Sequence, residues 1–165
     1  MATGILDLVN DLNAADPALR RCAAERLSRQ GDGARAAAMA LVRASGDPDE
    51  AVREWAVAAL EELGPPAVDD VRNLGERLLD EDGDVAYWSA TLLGRLRDKA
   101  ASAVPQLASA LTRHPSIAAR RRAAWALGMI GPAAQSAEPE LQAATQSGDA
   151  GLARTAAQAL EQLCG

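Results

Sequence analysis

The residues with the most chemical reach in this sequence are few. Trp55, Tyr87, Trp88 and Trp125 are the only aromatic side chains among 165 residues, and there is no Phe. Trp55 stands among alanines in the stretch AVREWAVAALEELG, residues 51–64. The later aromatics share their neighbourhood with arginines, Arg121, Arg122 and Arg154. Trp and Tyr offer rigid apolar area with one polar edge. Arg offers a planar fork of donors suited to carboxylates, and the combination is typical of binding anchors.

Covalent or metal chemistry finds no such support. GDGARA, residues 31–36, fits a dinucleotide-binding glycine pattern, but the residues before it, LRRCAAERLSRQ, read as helix where that motif needs a strand. DEDGD, residues 80–84, begins like a calcium loop, yet position six would be Val85 and position twelve Thr91. The glycine turn and the bidentate Glu are both missing. His114 is the only histidine and has no Cys or second His to join as a metal or nucleophile partner. Glu61-Glu62 and Asp69-Asp70 read as wet helix faces. The expectation is a protein with no catalytic residues, no metal and no cofactor.

Composition narrows the class. Ala and Leu carry most of the 48% apolar content, which favours helix over sheet. The net charge is −6, which argues against general nucleic-acid affinity. The charge is unevenly spread: residues 1–84 hold 18 acids and 9 bases, net −9, and residues 85–165 hold 5 acids and 8 bases, net +3. The start MATGILDLVNDLN lacks the features of a signal peptide, and the longest uncharged run, residues 123–137, is interrupted by Gly-Pro. Cys22 and Cys164, far apart in the chain, fit a reducing, cytoplasmic setting.

The elements that position these residues recur. Val52, Ala56, Ala59-Leu60, Leu63 and Gly64 match Val85, Ser89, Leu92-Leu93, Leu96 and Arg97, then Ala119, Ala123, Ala126-Leu127, Ile130 and Gly131. Leu152, Ala156, Ala159-Leu160 and Leu163 form a further copy, and Leu19, Ala23, Leu27 and Gly31 a weaker first one. Starts at 19, 52, 85, 119 and 152 step by 33, 33, 34 and 33, and Leu8, Leu41, Leu74, Leu107 and Leu141 keep the same step. The 3.6-residue spacing within each copy predicts a helix, and the second Leu column predicts another before it. Asp47-Pro48 reads as an N-cap with Pro at N1, and Gly64-Pro65 and Gly131-Pro132 as stops with a left-handed Gly.

VREWAVAALEELG and ARRRAAWALGMIG resemble the second helix of HEAT repeats, and the short step resembles the compact HEAT-like repeats named after phycobilisome lyases. The resemblance implies an all-α fold over residues 1–165. That fold is a right-handed, armadillo-like α-solenoid of five two-helix repeats, about ten helices, bounded near 1–31, 32–64, 65–97, 98–131 and 132–165. It also implies that the second helices line a concave groove.

At about 100° per residue, Trp55 falls on the shoulder of the core stripe of its helix. Trp88 holds the same position one copy later with Tyr87 beside it, Arg121 and Arg122 follow, and Trp125 lies one turn on. Cys22 holds the position in the first copy and Arg154-Thr155 in the last. Two roles fit this flank, anchors in a groove or packing between copies, and the absence of aromatics from the first helices favours the groove. The expected function is a non-enzymatic module holding a protein or peptide. Arg121, Arg122 and Arg154 would face carboxylates, and Glu54 with Glu50 and Glu62 would face basic groups. A bilin-handling protein resembling the lyases, and a DNA-binding relative of HEAT-like glycosylases, are the alternatives. No membrane contact is expected. A C-terminal copy without a polar cap would leave an apolar end face, through which a homodimer is expected.

Overall fold

Helix formers dominate the periodic segments, and every regular element of the computed structural model, which describes residues 4–164, is helical. The chain divides between Ala67 and Val68 into two compact units. The first holds α1 (Ile5–Leu12), α2 (Pro17–Ser28), α3 (Ala38–Ala44) and α4 (Glu50–Glu62). The second holds α5 (Val71–Arg77), α6 (Gly83–Leu96), α7 (Val104–Arg113), α8 (Ile117–Ile130), α9 (Glu138–Ala144) and α10 (Ala150–Leu163). Stretches of 3₁₀ helix, Gly31–Ala37, Val68–Asp70, Arg97–Ala103 and Gly131–Ala137, lead into α3, α5, α7 and α9.

Each odd-numbered helix packs on the even-numbered one after it, and the even-numbered helices pack side by side, α2 on α4 in the first unit and α6, α8 and α10 in the second. The Leu column accounts for the odd helices. Leu8, Leu41, Leu74, Leu107 and Leu141 are all at most 1% exposed, each contributing about 2 kcal/mol by burial. Val52, Val85, Ala119 and Leu152 are buried in the even helices, but Leu19, expected to begin that column, is 48% exposed. The first turn of α2 is uncovered, with Pro17 and Ala18 exposed beside it.

One turn, repeated, starts α4, α6, α8 and α10. Asp49 caps α4 by accepting from the Val52 N–H, Ser116 caps α8 through Ala119, and Asp149 caps α10 through Leu152. Asp82 caps α6 by accepting from both Asp84 and Val85. The residue two before each cap then accepts from the N–H of the cap residue itself. Asp47, Asp80, His114 and Ser147 do this at 2.9, 3.1, 3.0 and 3.2 Å. Asp47 is therefore not the N-cap, and Pro48 precedes the helix instead of opening it. Two carboxylates compete for the cap, and the one nearer the first free N–H groups takes it.

At His114 the same device uses a ring. Nδ1 accepts from Ser116 N–H, which leaves Nε2 to donate to the Asp80 carbonyl at 2.9 Å. The only histidine is 5% exposed and binds two turns of the second unit together.

The helix stops divide into two kinds. Gly31 and Gly131 have φ of +51° and +72°, and Arg97, at the same place in its copy, has φ +54°. Gly64 does not share this conformation. Leu63 ends α4 in extended backbone, and the Gly64 N–H donates to Asp32 at 2.9 Å. A Cβ at 64 would come within 2.6 Å of that carboxylate and displace it, so Gly64 serves close approach and not handedness. The outer face of α10 also departs from expectation. Its Leu152, Ala156, Ala159 and Leu163 are buried, and Arg154, Ala157, Gln158 and Glu161 face outward, so no large apolar stripe is bare there.

Two stability measurements follow. Arg97→Gly should raise stability by about 1 kcal/mol, because relief of the positive-φ strain exceeds the added unfolded-state entropy, and Gly131→Ala should lower it by about the same amount. Chemical denaturation with both variants measures the pair. His114→Ala leaves Asp80 C=O and Ser116 N–H without partners and opens a cavity, and it should cost roughly 2–4 kcal/mol in the same assay. A loss below about 1 kcal/mol would show that the ring is not a fastener.

Candidate functional site

The cap at Ser116 sets the phase of α8, and that phase places Ala118, Arg121, Arg122 and Trp125 along one side of the helix. Tyr87 from α6 and Thr155 and Gln158 from α10 complete a cleft of about 310 Å³. All of these residues belong to the second unit.

Arg122 is the centre of the cleft. Its guanidinium carbon lies 4.3 Å from the Tyr87 ring centroid and 4.9 Å from that of Trp125, and an Nη2–H donates to the Tyr87 hydroxyl. Stacking on two rings offsets part of the cost of removing a cation from water. Burial pushes the Arg122 guanidinium down from its ordinary value, though an arginine so far above neutrality stays charged. Among the described residues no carboxylate pairs with it.

Arg121 is differently placed. It grips Asp149 through two parallel bonds, Nε to Oδ1 at 2.9 Å and Nη2 to Oδ2 at 2.7 Å. Gly151 makes room for its guanidinium. Asp149 is also the cap of α10, so one carboxylate serves a helix start and a neighbouring helix. The first unit repeats this with Arg21 and Asp49, and adds Arg20 on Asp47 at 2.8 Å. Sequence reasoning assigned Arg121 to a partner's carboxylate, and the structure shows the fork already engaged. The spacing of 28 residues from Arg to cap Asp, present in both units, was the signal that would have revealed it.

The aromatics separate as well. Trp125 is half-buried, with its indole against Gly94 of α6, where any side chain would collide with it. Tyr87 is half-buried and meets Trp88 edge-on, centroids 5.5 Å apart at 82°. Trp88 itself is 7% exposed, which corrects its reading as a groove anchor. Only Gly83, Asp84, Tyr87 and Arg95 of α6 escape burial, so this helix has no free shoulder. Trp88 is packing. Trp55 is 37% exposed on α4 beside exposed Glu54, and both belong to the first unit. Arg154 is exposed on α10 and does not line the cleft. Among the described residues no group of His, Cys, Asp or Glu can hold a metal ion, and no helix is long and apolar enough to cross a membrane. Cys22 and Cys164 are free and exposed.

A sequence profile for HEAT repeats matches residues 5–73 and again residues 71–161. The chain belongs to the HEAT-repeat family. The two matched segments nearly coincide with its two compact units. No curated protein matches this HEAT-repeat chain in sequence. Among solved structures it is similar to the complex of CpcE and CpcF of phycocyanin lyase from Nostoc sp. PCC7120, with a TM-score of 0.69 at 26% identity. That likeness covers 99% of this chain and 66% of the other. A designed armadillo repeat protein in complex with the peptide (KR)4 gives 0.65 at 17% identity, over 96% of this chain and 81% of that one. An engineered protein gives 0.64 at 23%, over 98% of this chain, which spans about half (48%) of its length. These likenesses place the HEAT-repeat chain among all-helical repeat proteins of the armadillo and HEAT type, including those of the lyases.

The ion pair at the start of α10 has a pH signature. The Arg121 bonds and the Leu152 N–H hold the Asp149 carboxyl down to about 2, against about 3.9 in an unfolded chain. A depressed folded value stabilises above the unfolded one, so this contribution is complete above about pH 4 and is lost as pH falls toward 2. NMR titration should find the Asp149 midpoint near 2. Asp149→Asn should flatten the loss of stability across that window, and a normal midpoint would contradict the assignment.

Proposed function

We propose that this HEAT-repeat chain is a non-enzymatic, cytoplasmic interaction module that holds a protein or peptide segment against its even-numbered helices. In this reading the cleft around Arg122 is the principal anchor. The observation that carries it is the state of Arg122: a half-buried cation, held between Tyr87 and Trp125 in an open cleft, with no carboxylate paired to it among the described residues. A guanidinium kept in place by ring stacking and one hydroxyl still has donors to offer, and a partner's Asp, Glu or terminal carboxylate fits them. Trp125 supplies the adjoining apolar surface. Trp55 with Glu54 on α4 would make a separate, acidic contact suited to a basic group. The designed armadillo protein in complex with the peptide (KR)4 supports the idea that folds of this type receive peptides.

The likeness to the phycocyanin lyase complex favours a second reading, in which the cleft handles an open-chain tetrapyrrole through its propionates. A cleft of about 310 Å³ is at the small end for ligand sites, which suits one planar group with one carboxylate better than four linked rings. A DNA-binding role has the net charge of −6 against it.

Affinity capture from the source cells with wild type and Arg122→Gln, both first shown equally helical by circular dichroism, tests the proposal. Capture should weaken by roughly tenfold or more with Arg122→Gln, as expected when a desolvated charged contact is lost. Equal capture by the two proteins would exclude the cleft as the anchor. A visible absorbance change on mixing the wild type with bilin would favour the second reading.

A further inference from the structure

The donors that Arg122 keeps free define its occupant more closely than its charge does. One Nη2–H donates to the Tyr87 hydroxyl. Its Nε and Nη1 make no hydrogen bond among the described residues and are not shut off from solvent. A guanidinium has two edges that present a pair of parallel N–H groups, Nε with Nη2 and Nη1 with Nη2. Each edge draws on a different Nη2–H, so the bond to Tyr87 takes one edge and leaves the other whole. Arg121 shows what a whole edge holds, since its Nε and Nη2 meet the two oxygens of one carboxylate at 2.9 and 2.7 Å. With the Tyr87 and Trp125 rings over the Arg122 guanidinium carbon, the approach left to an occupant is along that free edge. Asp149 already answers Arg121, and the other lining residues are neutral, so the cleft carries one unanswered positive charge.

The wall that α10 contributes suits a different group. Thr155 and Gln158 stand one period after Arg122 and Trp125 and line the same cleft. The Thr155 hydroxyl donates to the Gly151 carbonyl at 2.9 Å, so toward the cleft it is an acceptor. Gln158 is exposed, and its amide has no hydrogen-bond partner among the described residues. A primary amide offers an acceptor beside two donors, which complements the N–H and C=O of a main chain. One wall therefore answers a carboxylate, and the other answers a peptide group.

Resting on the reading of the Arg122 cleft as the anchor, we propose that its occupant is an acidic residue within a partner's peptide chain, and that Gln158 determines this specificity. The carboxylate takes the free edge of Arg122. Gln158 pairs with the main chain beside it, Oε1 accepting from an N–H and Nε2 donating to a C=O. A carboxylate brings one negative charge and two coplanar oxygens, which match one unanswered cation and one whole edge. A phosphate brings more than one negative charge near neutral pH and exceeds what the cleft can balance. A small carboxylate without peptide groups uses the α8 wall alone and forgoes the contact with Gln158.

The test is an NMR titration of the full chain with acetyl-Ala-Glu-Ala-amide, its glutamine analogue, propionate and inorganic phosphate. Wild type, Arg122→Gln and Gln158→Ala are compared once their amide spectra show that each is folded. The glutamate peptide should give saturable shifts at the Trp125 indole N–H and the Gln158 side-chain amide. The glutamine peptide, which lacks the charge, should bind at least about tenfold more weakly, as should the glutamate peptide to Arg122→Gln. Gln158→Ala should weaken the glutamate peptide by roughly three- to tenfold and leave propionate unchanged. Propionate or phosphate binding as tightly as the glutamate peptide, or undiminished peptide binding by Gln158→Ala, would overturn the assigned occupant and leave the cleft standing as an anchor. No saturable response to the glutamate peptide would also overturn it, and equal peptide binding by Arg122→Gln would sink both readings.

Discussion

The start of the even-numbered helices from α4 onward is the constraint on which the other features depend. A carboxylate or hydroxyl takes the first free N–H groups, and a second acceptor two residues earlier takes the N–H of the capping residue itself. Together they fix both the axial position and the rotation of the helix that follows. Rotation matters most, because a shift of one residue would turn Ala123 and Leu127 out of the core and carry Trp125 and Arg122 out of the cleft. Arg21 and Arg121 add a second purpose by reaching from one helix to the cap of the next. Helix phase and helix packing are then set by the same carboxylate.

Arg122 shows how a fold can hold a cation ready without neutralising it. Arg121, one residue away, is fully answered by Asp149 and acts as structure. Arg122 meets π-faces and a phenol instead, which tolerate its charge while leaving its donors usable. The difference comes from one position of helical rotation. It turns a pair of identical adjacent residues into one ion-paired fastener and one cation stacked between two rings.

The periodic part of this architecture was legible in the residues alone. The Leu column from Leu8 to Leu141 and the stripe from Val52 to Leu63 each follow from one face of a helix, and burial follows those faces closely. What escaped was whatever depended on a neighbour outside the helix. Trp88 has the same helical phase as Trp55, yet α6 is buried almost all round and α4 is not, a distinction that no single-helix wheel contains. Asp47 and Asp49 are both chemically able to cap, and only the backbone geometry chooses between them. Gly64 looks like Gly131 in sequence but serves the close approach of Asp32 to its N–H. Of the residues that share the flank in sequence, Tyr87, Arg121, Arg122 and Trp125 lie together around one cleft, whereas the division of labour between the two arginines needed the position of Asp149.

The reach of the fastening contacts has a consequence for how the molecule behaves under stress. Arg20 with Asp47, Arg21 with Asp49, Arg121 with Asp149, and His114 with Asp80 each span 27–34 residues, one period of the sequence, and none of them reaches two. Bracing of this kind between neighbouring copies closes no long loop before its contacts form, so folding can begin at any such turn and spread. Opening follows the same rule in reverse. A lesion at one turn loosens the helices on either side of it and leaves distant ones in place, so such a chain frays in segments before it unravels as a whole.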